Sequence, residues 1–99
     1  MDLGIQDRVA IIGGASKGLG RACADRLASE GADLVICARN QADLESAADE
    51  IRGVSGRRVL AVPADWSREE DIERTVTEAI ATYGRIDILV HNTGGPAPG

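Results

Sequence analysis

Apolar runs alternate with apolar stripes along this chain. Residues 8–12, RVAII, 33–38, DLVICA, 58–63, RVLAVP, and 86–90, IDILV, are short, nearly continuous runs of branched apolar residues. Such runs are the pattern of strands buried on both faces. Between them the period lengthens to that of a helix. Over 16–29, Leu19, Ala22, Cys23, the stem of Arg26 and Leu27 fall on one stripe, with Gly31 as a left-handed stop. Asn40 offers a side-chain cap to a helix from Gln41 to about Arg52 that turns Leu44, Ala47, Ala48 and Ile51 inward; residues 53–56 end it. Ser67 and Glu70 have the spacing of a capping box for a third helix. That helix carries Ile72, Val76, Ala79, Ile80 and Tyr83 inward, and Gly84 closes it. Residues 92–99 have no periodicity and read as loop.

The order βαβαβαβ with short connections predicts an α/β domain, a parallel sheet covered by helices on both faces through right-handed crossovers. The expected strand order is 3-2-1-4, which puts a topological switch between strands 1 and 4. Ligands bind at the carboxyl ends of strands beside such a switch.

Composition sharpens this picture in a few places. The chain has 99 residues, no Phe, and Trp66 and Tyr83 as its only aromatics, so its core is aliphatic. A formal charge of -5 disfavours nonspecific binding to nucleic acid or anionic lipid, which makes any local group of cations informative. No apolar run reaches membrane-span length, and the opening MDLGIQDR lacks the basic start and apolar core of a secretion signal. A cytoplasmic protein is expected, with Cys23 and Cys37 as reduced thiols and with no membrane or nucleic-acid partner. No Cys or His cluster has metal-ligand spacing.

The candidate chemistry begins at 11–20, IIGGASKGLG, where the first strand turns into the first helix. Gly14, Gly18 and Gly20 are spaced G-x-x-x-G-x-G, with Ser16, Lys17 and Leu19 among them. Missing side chains let a phosphate approach the amides of the helix start, where unpaired N–H groups and the helix dipole favour an anion. This turn resembles the T-G-x-x-x-G-x-G turn of the short-chain dehydrogenase/reductase family. PADWS at 63–67 is similar to that family's D-[VL]-[ST] segment, and DILVHNTGG at 87–95 to its D-x-L-V-N-N-A-G segment. Three motifs in order, each at the carboxyl end of a strand, carry the resemblance over the whole chain.

Three departures accompany it. Gly13 stands at the family's Thr, removing a hydroxyl that would brace the turn. His91 stands at the first Asn of N-N-A-G, with Thr93 in place of the Ala, and a structural rather than catalytic role is expected for it. Trp66 is larger than the usual Val or Leu; core packing and a place beside an adenine are equally open to it.

The resemblance implies a Rossmann-type three-layer fold and a nicotinamide cofactor. At the end of strand 2, where an adenosine ribose would lie, the chain reads Cys37-Ala38-Arg39-Asn40. No acid is present to accept from a free 2′-hydroxyl, and Arg39 can fork onto a 2′-phosphate. With Lys17 directed to the same place by the family's geometry, the expected cofactor is NADP(H). Asp65 would accept from the adenine amino group and the Trp66 backbone N–H would meet the ring edge. Asn92, Thr93 and Gly94 would line the ribose and phosphate. Asp25, Asp33, Asp43 and the Arg57–Arg58 pair read as solvated charges.

The family's catalytic Asn, Ser and Tyr-x-x-x-Lys have no counterparts here; Tyr83 is followed by Gly84-Arg85-Ile86-Asp87. The chain therefore reads as 1–99 of the amino-terminal, cofactor-binding half of a reductase, truncated after strand 4, with its catalytic half absent, and is expected to be inactive alone. The intact protein is expected to be an oxidoreductase acting on a small carbonyl or alcohol, of the 3-oxoacyl-thioester reductase type. A non-catalytic nucleotide-binding or regulatory module is the alternative. The apolar edge of strand 4 is expected to drive formation of a homo-oligomer.

Overall fold

The computed structural model describes residues 6–91, so the expected cofactor residues Asn92, Thr93 and Gly94 lie outside the described residues. Its elements are β1 (Val9–Gly13), α1 (Gly18–Ser29), β2 (Asp33–Ala38), α2 (Gln41–Ser55), β3 (Val59–Pro63), α3 (Glu69–Tyr83) and β4 (Ile88–His91). All strand pairs are parallel, in the order β3-β2-β1-β4. In this register Gly13 closes β1 between Cys37 of β2 and His91 of β4.

Every residue of β1 and β2 is buried, as their unbroken apolar runs require. One core lies between the sheet and α1–α2, built on Ile12, Leu34, Ile36, Leu44 and Ile51. The other lies under α3, built on Ile11, Val35, Cys37, Val62 and Trp66. Together they make the three-layer arrangement of a Rossmann-type sheet. No described helix is long and apolar enough to cross a membrane.

Several expectations need correction. The inward face of α1 is Gly20, Ala24 and Ala28, while Leu19 is 72% exposed and Ala22 and Arg26 face out. Small residues at four-residue spacing let this helix lie close to the sheet, which displaces the larger Leu19 to the rim. Helix α2 runs through Gly53 and ends at a left-handed Gly56, with Arg52 donating to the Val59 carbonyl at 2.6 Å. In α3, Thr75 and Ala79 take the buried positions and Ile80 is exposed. The capping box does not form: α3 starts at Glu69, and the Ser67 hydroxyl donates to Asp65 at 2.7 Å instead.

Asp33 is no solvated charge. Its side chain is buried and is held by Arg58 at 2.7 Å and Arg57 at 3.1 Å. Burial alone would push its carboxyl up; the Arg58 hydrogen bonds and the charges of Arg57 and Arg58 outweigh that and hold it below its ordinary value. Both cysteines are free: Cys23 is half-buried, and Cys37 is buried, its thiol pushed up to about 12 by loss of solvent.

Candidate functional site

β1 delivers the chain into the glycine turn at the carboxyl edge of the sheet. Gly14 (φ 68°) and Gly18 (φ 62°) both sit in the left-handed region, where a side chain is strained. A Cβ on Gly18 would have nothing within 4 Å, so backbone conformation rather than crowding demands glycine there. The Ala15 N–H donates to the Cys37 carbonyl at 3.0 Å and ties the turn to β2.

Helix α1 opens on this turn without a cap. Lys17 holds the capping position, no side chain accepts from the first amides, and no acid lies in the first turn. The other helices differ. Asn40 caps α2, its Oδ1 accepting from the Asp43 N–H at 2.9 Å, and α3 carries Glu69, Glu70 and Asp71 in its first turn. α3 also lacks a side-chain cap, but its three acids occupy the positive end of its dipole, so among the three described helices α1 alone combines an uncapped start with an acid-free first turn open to an external anion.

A cavity of about 750 Å³ opens in front of these amides. It brings together the sequence-predicted Gly14, Ser16, Lys17, Gly18, Arg39 and Asn40, with Ala38 and Ala64 completing its wall. Lys17 and Arg39, 22 positions apart in sequence, thus share one site. Leu19 and Gly20 lie in the first turn of α1 beside it, the first exposed and the second buried. Asp43 also lines the cavity, a residue whose sequence position suggested only a solvated charge. Its Oδ2 is 3.7 Å from Lys17 Nζ. Arg39 has no ion-pair partner among the described residues.

Asp65 follows Ala64 of the cavity wall, but neither it nor Trp66 lines the cavity itself. Asp65 Oδ1 accepts from the Ser67 hydroxyl at 2.7 Å and the Ser67 N–H at 3.0 Å. Those bonds, with a smaller contribution from Arg39, hold its carboxyl below the ordinary value. Its own N–H donates to Asp71 Oδ2 at 2.7 Å. The Trp66 indole is buried in the core below α3, which answers the question of its side chain: Nε1 donates to Thr75 Oγ1 at 3.2 Å. Tyr83 is likewise committed elsewhere, its hydroxyl donating to the Leu34 carbonyl at 3.1 Å.

The donor set fits a phosphorylated ligand: open amides at a helix start and two cations lining the same cavity. Bare amides at the carboxyl end of β1, beside the switch between β1 and β4, stand where ligands bind in a Rossmann-type parallel α/β fold. Residues 8–99 match the family described as short chain dehydrogenase, and the chain belongs to that family.

Among its relatives are an uncharacterized oxidoreductase of Mycobacterium tuberculosis, 38% identical over 94 residues, covering 95% of this chain and 35% of the relative. A 1,6-dihydroxycyclohexa-2,4-diene-1-carboxylate dehydrogenase of Pseudomonas putida is 38% identical over 95 residues, covering 96% of this chain and 34% of the relative. Among solved structures, L-sorbose reductase from Gluconobacter frateurii, complexed with NADPH and L-sorbose, superposes with a TM-score of 0.93 at 39% identity. That match covers 98% of this chain and 37% of the reductase. The chain thus spans about a third of the length of the proteins it matches.

Proposed function

We propose that this chain forms the adenosine-binding part of an NADP(H) site in an oxidoreductase that moves hydride to or from a small carbonyl or alcohol substrate. One observation carries the reading: Lys17 and Arg39 line a single cavity in front of the uncapped start of α1, with no acid at the end of β2. In that cavity the α1 amides bind the pyrophosphate, and Arg39 and Lys17 bind the 2′-phosphate. Each charge-assisted contact contributes about 1.5–3 kcal/mol, less where solvent reaches it. Asp65 accepts from the adenine amino group, and Asn92, Thr93 and Gly94 follow the ribose and phosphate. When bound, the coenzyme supplies or accepts the hydride. NADPH in the sorbose reductase complex favours the same choice for its relative here.

Calorimetric titration of the intact protein with NADPH, NADH and ATP tests the cofactor assignment. The expected result is tight NADPH binding, weak NADH binding and no competition by ATP. Equal affinity for NADPH and NADH removes the assignment. NADPH binding without oxidation of NADPH against any carbonyl panel would favour the non-catalytic module.

A further inference from the structure

Three of the positions at which this chain departs from its family's motifs, Gly13, Trp66 and His91, lie 25 to 78 residues apart in sequence, yet they meet in space. Gly13 ends β1, and a Cβ built there would lie 2.8 Å from Cδ2 and 2.9 Å from Cζ3 of Trp66. No real side chain tolerates such distances. Gly13 has no positive φ, so crowding by the indole is what excludes a side chain there. The same indole meets the His91 ring edge-on, with centroids 5.2 Å apart and planes at 67°. Its Nε1 bonds Thr75, whose hydroxyl donates to the Asp71 carbonyl at 2.8 Å. Asp71 in turn accepts from the Asp65 N–H through its carboxylate.

We infer that Trp66 is a positioning residue for the cofactor site. One rigid ring, buried at 8% exposure, braces three carboxyl-edge segments at once. It supports the glycine turn through Gly13. It aligns the end of β4 through His91, which leads directly into Asn92. It fixes the β3–α3 connection, and with it Asp65, through Thr75 and Asp71. A hydroxyl at position 13 is unnecessary because the indole fills its place. The inference rests on the cofactor reading above, but it concerns how the site is held rather than which phosphate it selects. Trp66 touches no reacting atom, and its effect reaches the ligand only through the segments it braces.

The test is a set of variants titrated with NADPH and NADH well below their unfolding temperatures. Trp66→Leu should weaken both coenzymes by about fivefold or more, because it loosens parts of the site common to them. Trp66→Phe keeps a ring against Gly13 and His91 and should stay within about twofold of wild type. Gly13→Ala should impair binding or folding, and Gly13→Ala combined with Trp66→Leu should recover much of the loss, since the clash is gone. Ile51→Val, a core change under α2, provides the control: it lowers stability without moving either affinity. Trp66→Leu affinities equal to wild type, or additive effects in the Gly13–Trp66 cycle, overturn the inference while leaving the cofactor assignment intact. Failure of the wild-type protein to bind either coenzyme overturns both.

Discussion

At the amino edge of the sheet, Asp33 is clasped by Arg57 and Arg58, and Asp87 receives Arg85 at 2.7 Å, Arg8 at 3.3 Å and the Val9 N–H at 2.8 Å. At the carboxyl edge, Lys17 has only a long 3.7 Å contact to Asp43, and Arg39 has no ion-pair partner among the described residues. Both edges belong to one sheet and carry the same residue types. Charges that satisfy one another in the fold stabilise it and have little left for a ligand. Charges that the fold leaves weakly paired or unpaired, beside a helix start it leaves uncapped, stay available to the ligand we propose.

This contrast can be broken from either side. The largest effect is expected from Asp33→Ala, which leaves two arginines without their buried acceptor. It should lower unfolding free energy by about 2–3 kcal/mol in urea titration and leave coenzyme affinity unchanged. The same edge should respond to acid. Hydrogen bonds from Arg85, then from the Val9 N–H, hold the Asp87 carboxyl at about 2, against an ordinary 3.8. A carboxylate lowered in this way contributes its full stabilisation above 3.8 and loses it as pH falls toward 2. Asp87→Asn should therefore melt below wild type at pH 6, with the gap closing across that interval. A gap independent of pH would contradict the pairing.

At the carboxyl edge the effects fall on binding. Arg39→Asp should weaken NADPH by about tenfold or more and strengthen NADH, with unfolding unchanged. Asp43→Asn should have the smallest effect and the opposite sign, tightening NADPH about two- to threefold by releasing Lys17 from an exposed pair. A loss of stability in either variant, with no change in affinity, would make the two edges alike.

Much of this was legible in the sequence, and the reasons are physical. Strands β1 and β2 are buried on both faces, so their apolar runs are unbroken; α2 presents Leu44, Ala47, Ala48 and Ile51 at helical spacing against a polar outer face. Alternation of these elements leads to the parallel sheet, and the spacing of Gly14, Gly18 and Gly20 to the turn. The inward face of α1 differs from the expected stripe because Leu19 carries a stronger hydropathy signal than the small residues Gly20, Ala24 and Ala28 that are buried. A pattern search favours the larger apolar residue, whereas close helix–sheet packing favours the smaller one. Ser67 met its spacing rule with Glu70, but Asp65, two residues back, offered its hydroxyl a nearer acceptor.

Other features have no local signal at all. Asp33 opens a strand, where an acid ordinarily reaches solvent, and its partners stand 24 and 25 residues later. The facing of Asp43 toward Lys17 exists only once α1 and α2 pack side by side, and the contacts of Trp66 with Gly13 and His91 only once the sheet brings the carboxyl ends of β1, β3 and β4 to one edge. Each departure at 13, 66 and 91 was visible singly; that they compensate one another required the fold.

The most direct measurement omits the nicotinamide altogether. Calorimetric titration with adenosine 2′,5′-bisphosphate and with 5′-AMP isolates the one phosphate that Lys17 and Arg39 are assigned to hold. Binding of the bisphosphate at least about tenfold tighter than the monophosphate, with the advantage lost in Arg39→Asp, is the predicted result. Equal affinities for the two would contradict it.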